Sequence, residues 1–135
     1  MKYSMFTFIF LFISIFSQAM VGTWSTYLSY ADVQQITQSE NKIFALSSGS
    51  LFSVDKRDHI IETYSKVTGL NDNSISLIAF HEELEILFVV YKTSNIDLIT
   101  KNGLYNMPDL SKKIIAGSKN INQVYFYEDM AYLAT

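Results

Sequence analysis

The stretch ISLIAFHEELEILFVV, from Ile75 to Val90, decides the fold of this 135-residue chain. It holds two short runs of β-branched and aromatic residues joined by a charged turn, a pattern typical of a β-hairpin. The run Ile86–Val90 has no polar alternation, which predicts a strand buried on both faces. A helix is the competing interpretation of a short apolar run, but the length of the run and its β-branched content favour a strand.

The same pattern occurs in two other places along the chain. VQQITQSENKIFALS begins at Val33, and INQVYFYEDMAYLAT begins at Ile121. Ile36, Ile78 and Val124 are equivalent positions, so the spacings are 42 and 46 residues. A period of this length built from short strands is typical of propeller blades, of which a propeller has about four to eight. The sequence therefore predicts an all-β fold, an incomplete β-propeller of about two and a half four-stranded blades.

Turn signals divide each repeat into its strands. Gly49 is expected to take a positive φ, and Asn102-Gly103 predicts a type I′ hairpin turn. The link at residues 109–120 is expected to pack in part through its apolar side chains. Strands are predicted at residues 33–38, 43–47, 51–54 and 60–64 in the first blade, at 75–80, 86–91, 95–100 and 104–107 in the second, and at 121–127 and 131–134 in the third.

The first residues form a predicted signal peptide. Lys2 supplies the positive charge, Met5 to Phe16 is an apolar run, and Ser17 to Ala19 resembles a cleavage site. An uncleaved anchor is the alternative, but a membrane span needs about twenty apolar residues. We expect residues 1–19 to be a signal peptide and residues 20–135 to be the N-terminal, truncated part of a propeller. The segment Gly22–Tyr30 is expected to be an extended lead-in that pairs with the last blade.

Composition excludes several classes of function. The net charge is −3, and the two basic doublets, Lys56-Arg57 and Lys112-Lys113, are interpreted as ordinary turn or loop charges, so no nucleic-acid partner is predicted. The chain has no cysteine, which excludes disulfides, thiolate catalysis and cysteine–zinc sites.

No catalytic, cofactor or metal site is predicted. His81, with Glu82, Glu83 and Glu85, suggests a metal site, but the simpler interpretation is a solvated, charged hairpin tip, because adjacent residues on a strand point to opposite faces. His59 is likewise interpreted as solvated. The carboxylate pairs Glu82-Glu83 and Asp55/Asp58 lie in predicted turns, and Asn71-Asp72-Asn73 lacks the glycine and distal glutamate of a calcium loop. The protein is therefore expected not to be an enzyme and to need no cofactor.

The aromatic residues suggest a sugar-binding surface but assign none. Tyr91, Tyr125, Tyr127 and Tyr132 lie within predicted strands, where a tyrosine is more often part of the core. Trp24 is a further candidate for such a surface, Tyr27, Tyr30 and Tyr64 are assigned neither to the core nor to a site, and the ligand-binding residues stay unknown.

Several motifs along the chain carry a family resemblance. They are the block from Gly22 through Trp24 to Tyr30, Gly49-x-Leu51-Phe52-x-x-Asp55, Ser65-Lys66-Val67-x-Gly69-Leu70-x-Asp72, Asn95-Ile96-Asp97-Leu98-Ile99, Asn102-Gly103 and Ala131 to Thr135. Together they resemble the N-terminus of the PorZ family, surface components of the type IX secretion system. The motifs that begin at Gly49 and Ser65 are also similar to two-component-regulator propeller repeats, so they are less specific, whereas the Trp24–Tyr30 and Asn95–Ile99 blocks favour the PorZ family.

The resemblance implies a non-enzymatic component of an attachment complex in the periplasm or on the outer-membrane cell surface. Its implied partners are a PorU-like sortase component and anionic lipopolysaccharide or another glycan, which it delivers to that sortase. The alternative is the periplasmic ligand-sensing propeller of a hybrid two-component regulator, which binds oligosaccharide and signals across the membrane.

Overall fold

The structure is a computed structural model that describes residues 32–135. The predicted signal peptide and the Gly22–Tyr30 segment lie outside the described residues. The described chain forms two four-stranded antiparallel sheets and one two-stranded sheet, each with its strands in sequence order. The first sheet contains β1 (Val33–Gln38), β2 (Lys42–Ser47), β3 (Ser50–Asp55) and β4 (Ile61–Tyr64); the second contains β5 (Ile75–His81), β6 (Ile86–Tyr91), β7 (Ile96–Thr100) and β8 (Gly103–Met107); the third contains β9 (Gln123–Tyr127) and β10 (Met130–Ala134).

This arrangement confirms the incomplete propeller predicted from the repeat. Each predicted strand is present, and the predicted bounds differ from the observed ones by no more than two residues. The repeat alignment is also confirmed, because Ile36, Ile78 and Val124 occupy the same position in their sheets. They pair across the first two strands with Ala45, Val89 and Leu133.

The predicted type I′ turn at Asn102-Gly103 is wrong, although the hairpin itself is present. Only Gly103 has a positive φ there, whereas a type I′ turn needs positive φ at both central residues. Both central residues have positive φ in the turn between β2 and β3, where Ser48 has φ 50° and Gly49 has φ 77°. Gly49 therefore takes the conformation expected of it, within the tightest hairpin of the first sheet.

The strands place their connections at two opposite ends of the sheets. The link end carries the two connections between sheets, residues 65–74 and 108–122, and the turns after β2 and β6. The first link contains a 3₁₀ turn at Lys66–Thr68, and the second begins with a short helix, α1, at Asp109–Lys112. The hairpin end carries the β1–β2, β3–β4, β5–β6, β7–β8 and β9–β10 turns.

The larger core lies between the first and second sheets. Leu46 and Leu51 of the first sheet pack against Ile78, Leu87 and Val89 of the second. Gln35 on β1 adds a polar contact, because its Oε1 accepts a hydrogen bond of 2.9 Å from the backbone N–H of Ile78. The opposite face of the second sheet forms a smaller core with the start of the third repeat, where Leu77, Val90 and Ile96 pack with Ile121. Strand β6 is thus buried on both faces, as its continuous apolar run predicts.

One aromatic contact is repeated at both junctions between sheets. Phe44 on β2 stacks on Phe80 of the second sheet, with ring centroids 5.9 Å apart. Phe88 on β6 contacts Phe126 of the third sheet at 5.1 Å. The strand registers make Phe44 equivalent to Phe88, and Phe80 equivalent to Phe126. The equivalent forward position on β10 is held by Tyr132, which is exposed.

Candidate binding surfaces

A cleft opens between the first and second sheets at the hairpin end. Its volume is about 610 Å³, and three aromatic rings, Phe44, Tyr64 and Phe80, contribute to its walls. The lysines Lys42, Lys56 and Lys101 and the glutamates Glu40, Glu82 and Glu85 also line it. These aromatic and charged side chains meet there because the β1–β2 turn of one sheet faces the β5–β6 and β7–β8 turns of the next.

The lysines of the cleft differ in their partners. Lys42 donates a 2.5 Å hydrogen bond to Glu62, which raises the pKa of that lysine. Lys101 lies 3.2 Å from Glu85. Lys56 instead donates to two neutral acceptors, Gln38 Oε1 at 3.0 Å and the backbone oxygen of Ser39 at 2.7 Å. Among the described residues, Lys56 is therefore the cleft lysine that forms no ion pair with a carboxylate.

The cleft suits a polar ligand of sugar size better than a catalytic reaction. Aromatic rings and side-chain donors and acceptors side by side are what sugars contact in proteins. Tyr64 contributes a phenol that bonds Ser53 Oγ at 3.2 Å and Glu62 at 3.3 Å. Burial raises the pKa of Tyr64, so this group stays a neutral donor and acceptor at physiological pH.

A second polar cluster surrounds Asp97, whose side chain is fully buried in β7. Its Oδ1 accepts hydrogen bonds from Asn71 Nδ2 at 3.0 Å and from Asn106 Nδ2 at 2.7 Å. Its Oδ2 accepts from the backbone N–H of Asn71 at 2.8 Å and from the hydroxyl of Tyr91 at 2.5 Å. Four donors therefore satisfy one carboxylate, and they tie the first link to strands β6, β7 and β8 of the second sheet.

The hydrogen bonds of this cluster hold the first link against the second sheet, and they leave none of its side chains available for catalysis. Burial and the adjacent Asp97 carboxylate raise the pKa of Tyr91 far above its ordinary value, so its hydroxyl remains a donor. Within residues 32–135, no buried side-chain nitrogen or oxygen lacks a hydrogen-bond partner. A fully satisfied buried network makes the surrounding core specific and rigid.

His81 has a role different from the one predicted. It is buried, so the interpretation as a solvated hairpin-tip residue is wrong. Its Nδ1 accepts a 3.3 Å hydrogen bond from the backbone N–H of Leu84, and its Nε2 lies 2.8 Å from the backbone oxygen of Glu128. Because Nδ1 accepts, the proton is on Nε2, which donates to Glu128. The ring also contacts Phe126 at 4.7 Å, so His81 joins the second sheet to the third.

The other sequence candidates lie apart from one another. His59 is exposed in the β3–β4 turn, and Glu82, Glu83 and Glu85 are exposed in the β5–β6 turn, as predicted. Across the described residues, no group of three or more histidine, aspartate or glutamate side chains is placed to hold a metal ion. Asp55 accepts from the backbone N–H of Arg57 at 2.8 Å, which lowers the pKa of its carboxyl. Asp55, at the end of β3, therefore stabilises the turn between β3 and β4.

The Asn71-Asp72-Asn73 segment is likewise occupied by local contacts. Asp72 accepts hydrogen bonds from Thr93 Oγ1 at 2.6 Å and from the backbone N–H of Asn73 at 2.7 Å. The Thr93 contact is the main reason that the pKa of Asp72 is lowered. Asn71 is hydrogen-bonded to Asp97, so the segment helps to hold the first link against the second sheet.

The tyrosines divide into two groups. Tyr91 is buried, as expected for a strand residue. Tyr125, Tyr127 and Tyr132 are each at least half exposed, so the expectation that they lie in a core does not hold in the described structure. They share one face of the third sheet because Tyr125 pairs with Tyr132 and Tyr127 pairs with Met130. Trp24, Tyr27 and Tyr30 lie outside the described residues.

Sequence reasoning missed the Asp97 cluster and the role of His81. One signal was available for each. Asp97 interrupts an otherwise apolar strand, and a charged residue there needs buried partners. His81 directly follows the apolar strand residues Ile78, Ala79 and Phe80, and a polar residue that continues an apolar strand needs a partner if it is buried. For residues 32–135, the structure contains no helix long and apolar enough to cross a membrane.

Comparison with known families gives one match. A family model described as the type IX secretion (TSS9) PorZ N-terminal beta-propeller domain matches residues 43–135, well over half of the chain. Neither the curated proteins nor the solved structures give a significant match.

Proposed function

The chain belongs to the family of the PorZ N-terminal β-propeller, and on that premise we propose that it acts as an exported, non-enzymatic component of the type IX attachment complex. In that complex it delivers anionic lipopolysaccharide to a sortase-like partner, which joins the polysaccharide to secreted cargo. The site of action is the periplasm or the outer-membrane cell surface.

The family match carries this proposal. It begins at Ile43 in β2 and runs through the second and third sheets, so it spans the repeat rather than one short motif. The polar contacts of the described residues support a binding role. The buried polar side-chain atoms are all hydrogen-bonded, and the carboxylate of Asp55 is engaged in a turn. The proposal makes the propeller a rigid binding platform.

The cleft at the hairpin end is the place where we expect the glycan to bind. The partly exposed rings of Tyr64 and Phe80 line it, and Lys56 forms no ion pair with a described carboxylate. Lysine binds phosphate and carboxylate groups as a compact point charge. We therefore expect an anionic group of the sugar to lie beside Lys56, since Glu40 and Glu82 repel a negative charge elsewhere in the cleft.

Deletion of the gene in the producing bacterium tests the proposed function. Without the protein, secreted cargo should lose its attached polysaccharide and leave the cell surface, as shown by immunoblotting of surface and medium fractions. Complementation with the intact gene should restore attachment. If cargo is still modified and anchored in the deletion strain, the proposed role is wrong, and a change in oligosaccharide-induced transcription instead would favour the sensor alternative.

Binding of purified anionic lipopolysaccharide tests the cleft separately. Lys56→Gln should weaken binding by about tenfold, the loss expected for one charge-assisted contact. Arg57→Gln is the matched control, because it removes the same charge from the adjacent exposed position, where Arg57 pairs with Asp55. Equal weakening by both substitutions would show that the cleft does not bind the glycan.

A further inference from the structure

The two ends of the described structure carry opposite charge. The hairpin end has nine acidic residues and four basic ones, whereas the link end has five lysines and four aspartates. The overall net charge of −3 conceals this separation. The link-end lysines are Lys66, Lys92, Lys112, Lys113 and Lys119, and the aspartates there are Asp32, Asp72, Asp109 and the buried Asp97.

The lysines of the two ends also differ in their partners. All three ion pairs found within residues 32–135 lie at the hairpin end: Lys42 with Glu62, Arg57 with Asp55, and Lys101 with Glu85. No link-end lysine forms an ion pair with another described residue. Lys119 donates to the backbone oxygen of Ser111 at 2.9 Å and holds the second link together. The other four are exposed, so their charge faces outward.

Each link also presents one aliphatic side chain almost completely to solvent. Val67 in the first link and Ile114 in the second are both 97% exposed, more than any other large apolar residue described. Val67 follows Lys66, and Ile114 follows Lys112 and Lys113. An exposed aliphatic tip beside lysines, repeated in two successive links, is the composition of protein surfaces that lie on anionic lipid.

We propose that the link end lies on an anionic lipid membrane, with Val67 and Ile114 entering the headgroup layer. The exposed lysines face the lipid phosphates, while the acidic hairpin end points away from the surface and keeps its cleft open. Charge complementarity selects the anionic membrane, and the two aliphatic tips favour a lipid layer over a purely polar acidic protein. The contact needs no lipopolysaccharide, so it is separate from the delivery proposed above.

Vesicle sedimentation tests this orientation with the full chain. The chain should bind vesicles of phosphatidylcholine mixed with phosphatidylglycerol and should bind phosphatidylcholine alone weakly. Each lysine near an anionic surface increases the partition coefficient about fivefold. The double substitution Lys112→Gln with Lys113→Gln should therefore lower the partition coefficient about thirtyfold. Arg57→Gln with Lys101→Gln is the control, because it removes the same charge from the hairpin end.

The aliphatic tips have their own variant and their own readout. Val67→Ser with Ile114→Ser should weaken vesicle binding while leaving circular dichroism unchanged, because both side chains are exposed. The chain has no cysteine, so a single introduced cysteine carries an environment-sensitive dye at one defined position. Dye on Ile114→Cys should shift to the blue with anionic vesicles, whereas dye on Glu83→Cys at the hairpin end should not.

Three outcomes overturn the proposal. They are equal loss of binding from the link-end double substitution and the hairpin-end double substitution, equal binding to neutral and anionic vesicles, and a dye shift at residue 83 without one at residue 114. All variants keep the same first 31 residues, so any contribution of that segment to vesicle binding cancels in the comparison. Because these vesicles contain no lipopolysaccharide, failure here leaves the proposed delivery function to its own test.

Discussion

The first and second sheets share one repeat but differ in how much of it they bury. Ile36 and Ile78 occupy the same position in β1 and β5, yet Ile36 is 64% exposed and Ile78 is 1% exposed. The second sheet packs against a neighbouring sheet on each face. The face of the first sheet that carries Ile36 has no described sheet packed against it. In a repeat protein, burial is therefore a property of the junction between neighbours more than of the residue type.

The largest test of this comparison removes the same side chain from each sheet. Ile78→Ala should lower the free energy of unfolding by about 3 kcal/mol, because it leaves a cavity in the core between the sheets. Ile36→Ala is the matched substitution and should cost less than about 1 kcal/mol, since its side chain is already largely in water. Urea unfolding followed by circular dichroism measures both values. Similar losses would mean that the two positions are equally buried in solution.

The next test concerns a position where the repeats differ in chemistry. Asp97 in β7 is equivalent to Phe52 in β3, so one sheet has a carboxylate where the other has a ring. Asp97→Ala should destabilise the chain by about 2–4 kcal/mol, because it leaves the side chains of Asn71 and Tyr91 without their acceptor and removes one of the acceptors of Asn106.

Asp72→Ala is the matched control for Asp97→Ala. Asp72 accepts from Thr93 and Asn73 near the surface, where water can replace it, so its loss should cost less than about 1 kcal/mol. Thermal unfolding of the two variants measures the difference. If Asp97→Ala lowers the free energy of unfolding no more than Asp72→Ala does, the cluster does not hold the first link against the second sheet.

A smaller effect is expected at the junction of the second and third sheets. His81→Ala removes the hydrogen bond to Glu128 and the contact with Phe126, which together should contribute about 1–2 kcal/mol. The loss should be local: hydrogen exchange of the β9 and β10 amides should speed up, while that of β1–β4 stays unchanged. Glu82→Ala, next to it and exposed, should leave all exchange rates unchanged. Uniform acceleration throughout the chain would contradict a local role.

The smallest effect at neutral pH is the titration of Tyr91. Its pKa is raised in the folded chain, so folding favours the neutral phenol; this stability is complete below the unfolded pKa of about 10 and is lost as the pH rises above it. Above that pH the loss should approach about 1.4 kcal/mol per pH unit. Tyr91→Phe should remove this part of the alkaline dependence in unfolding measured between neutral and alkaline pH. An unchanged profile would show that Tyr91 does not stay protonated.

The sequence predicts the strands well because each repeat has its own turn signals and its own apolar run. It cannot predict which tyrosines are buried, because Tyr91 and Tyr132 differ in their neighbours and not in their local pattern. The type I′ turn predicted at Asn102-Gly103 was wrong because only Gly103 has a positive φ there. His81 looks like a hairpin-tip residue locally, and only the position of the third sheet makes it a buried contact.

The candidate cleft could not be predicted from the sequence. Its walls come from turns that are about forty residues apart in the chain and meet only when two sheets stack. Charge separation between the two ends was hidden for the same reason, because strands that alternate in direction send consecutive turns to opposite ends. Lys112-Lys113 looks ordinary in the sequence, and only the fold shows that it lies at the same end of the sheets as Lys66 and Lys92.

The repeated aromatic contact also bears on how such a chain can grow. Phe44 and Phe88 contact the next sheet, and Phe80 and Phe126 are the rings they contact, so the second repeat carries one ring of each kind. The first repeat has Gln38 at the position equivalent to Phe80. Duplication of the second repeat in the gene would therefore insert a matching pair of rings and leave each new junction with its aromatic contact. Gain or loss of a whole blade is then a smaller disturbance than a substitution at either ring, which offers a physical route by which blade number can change during evolution.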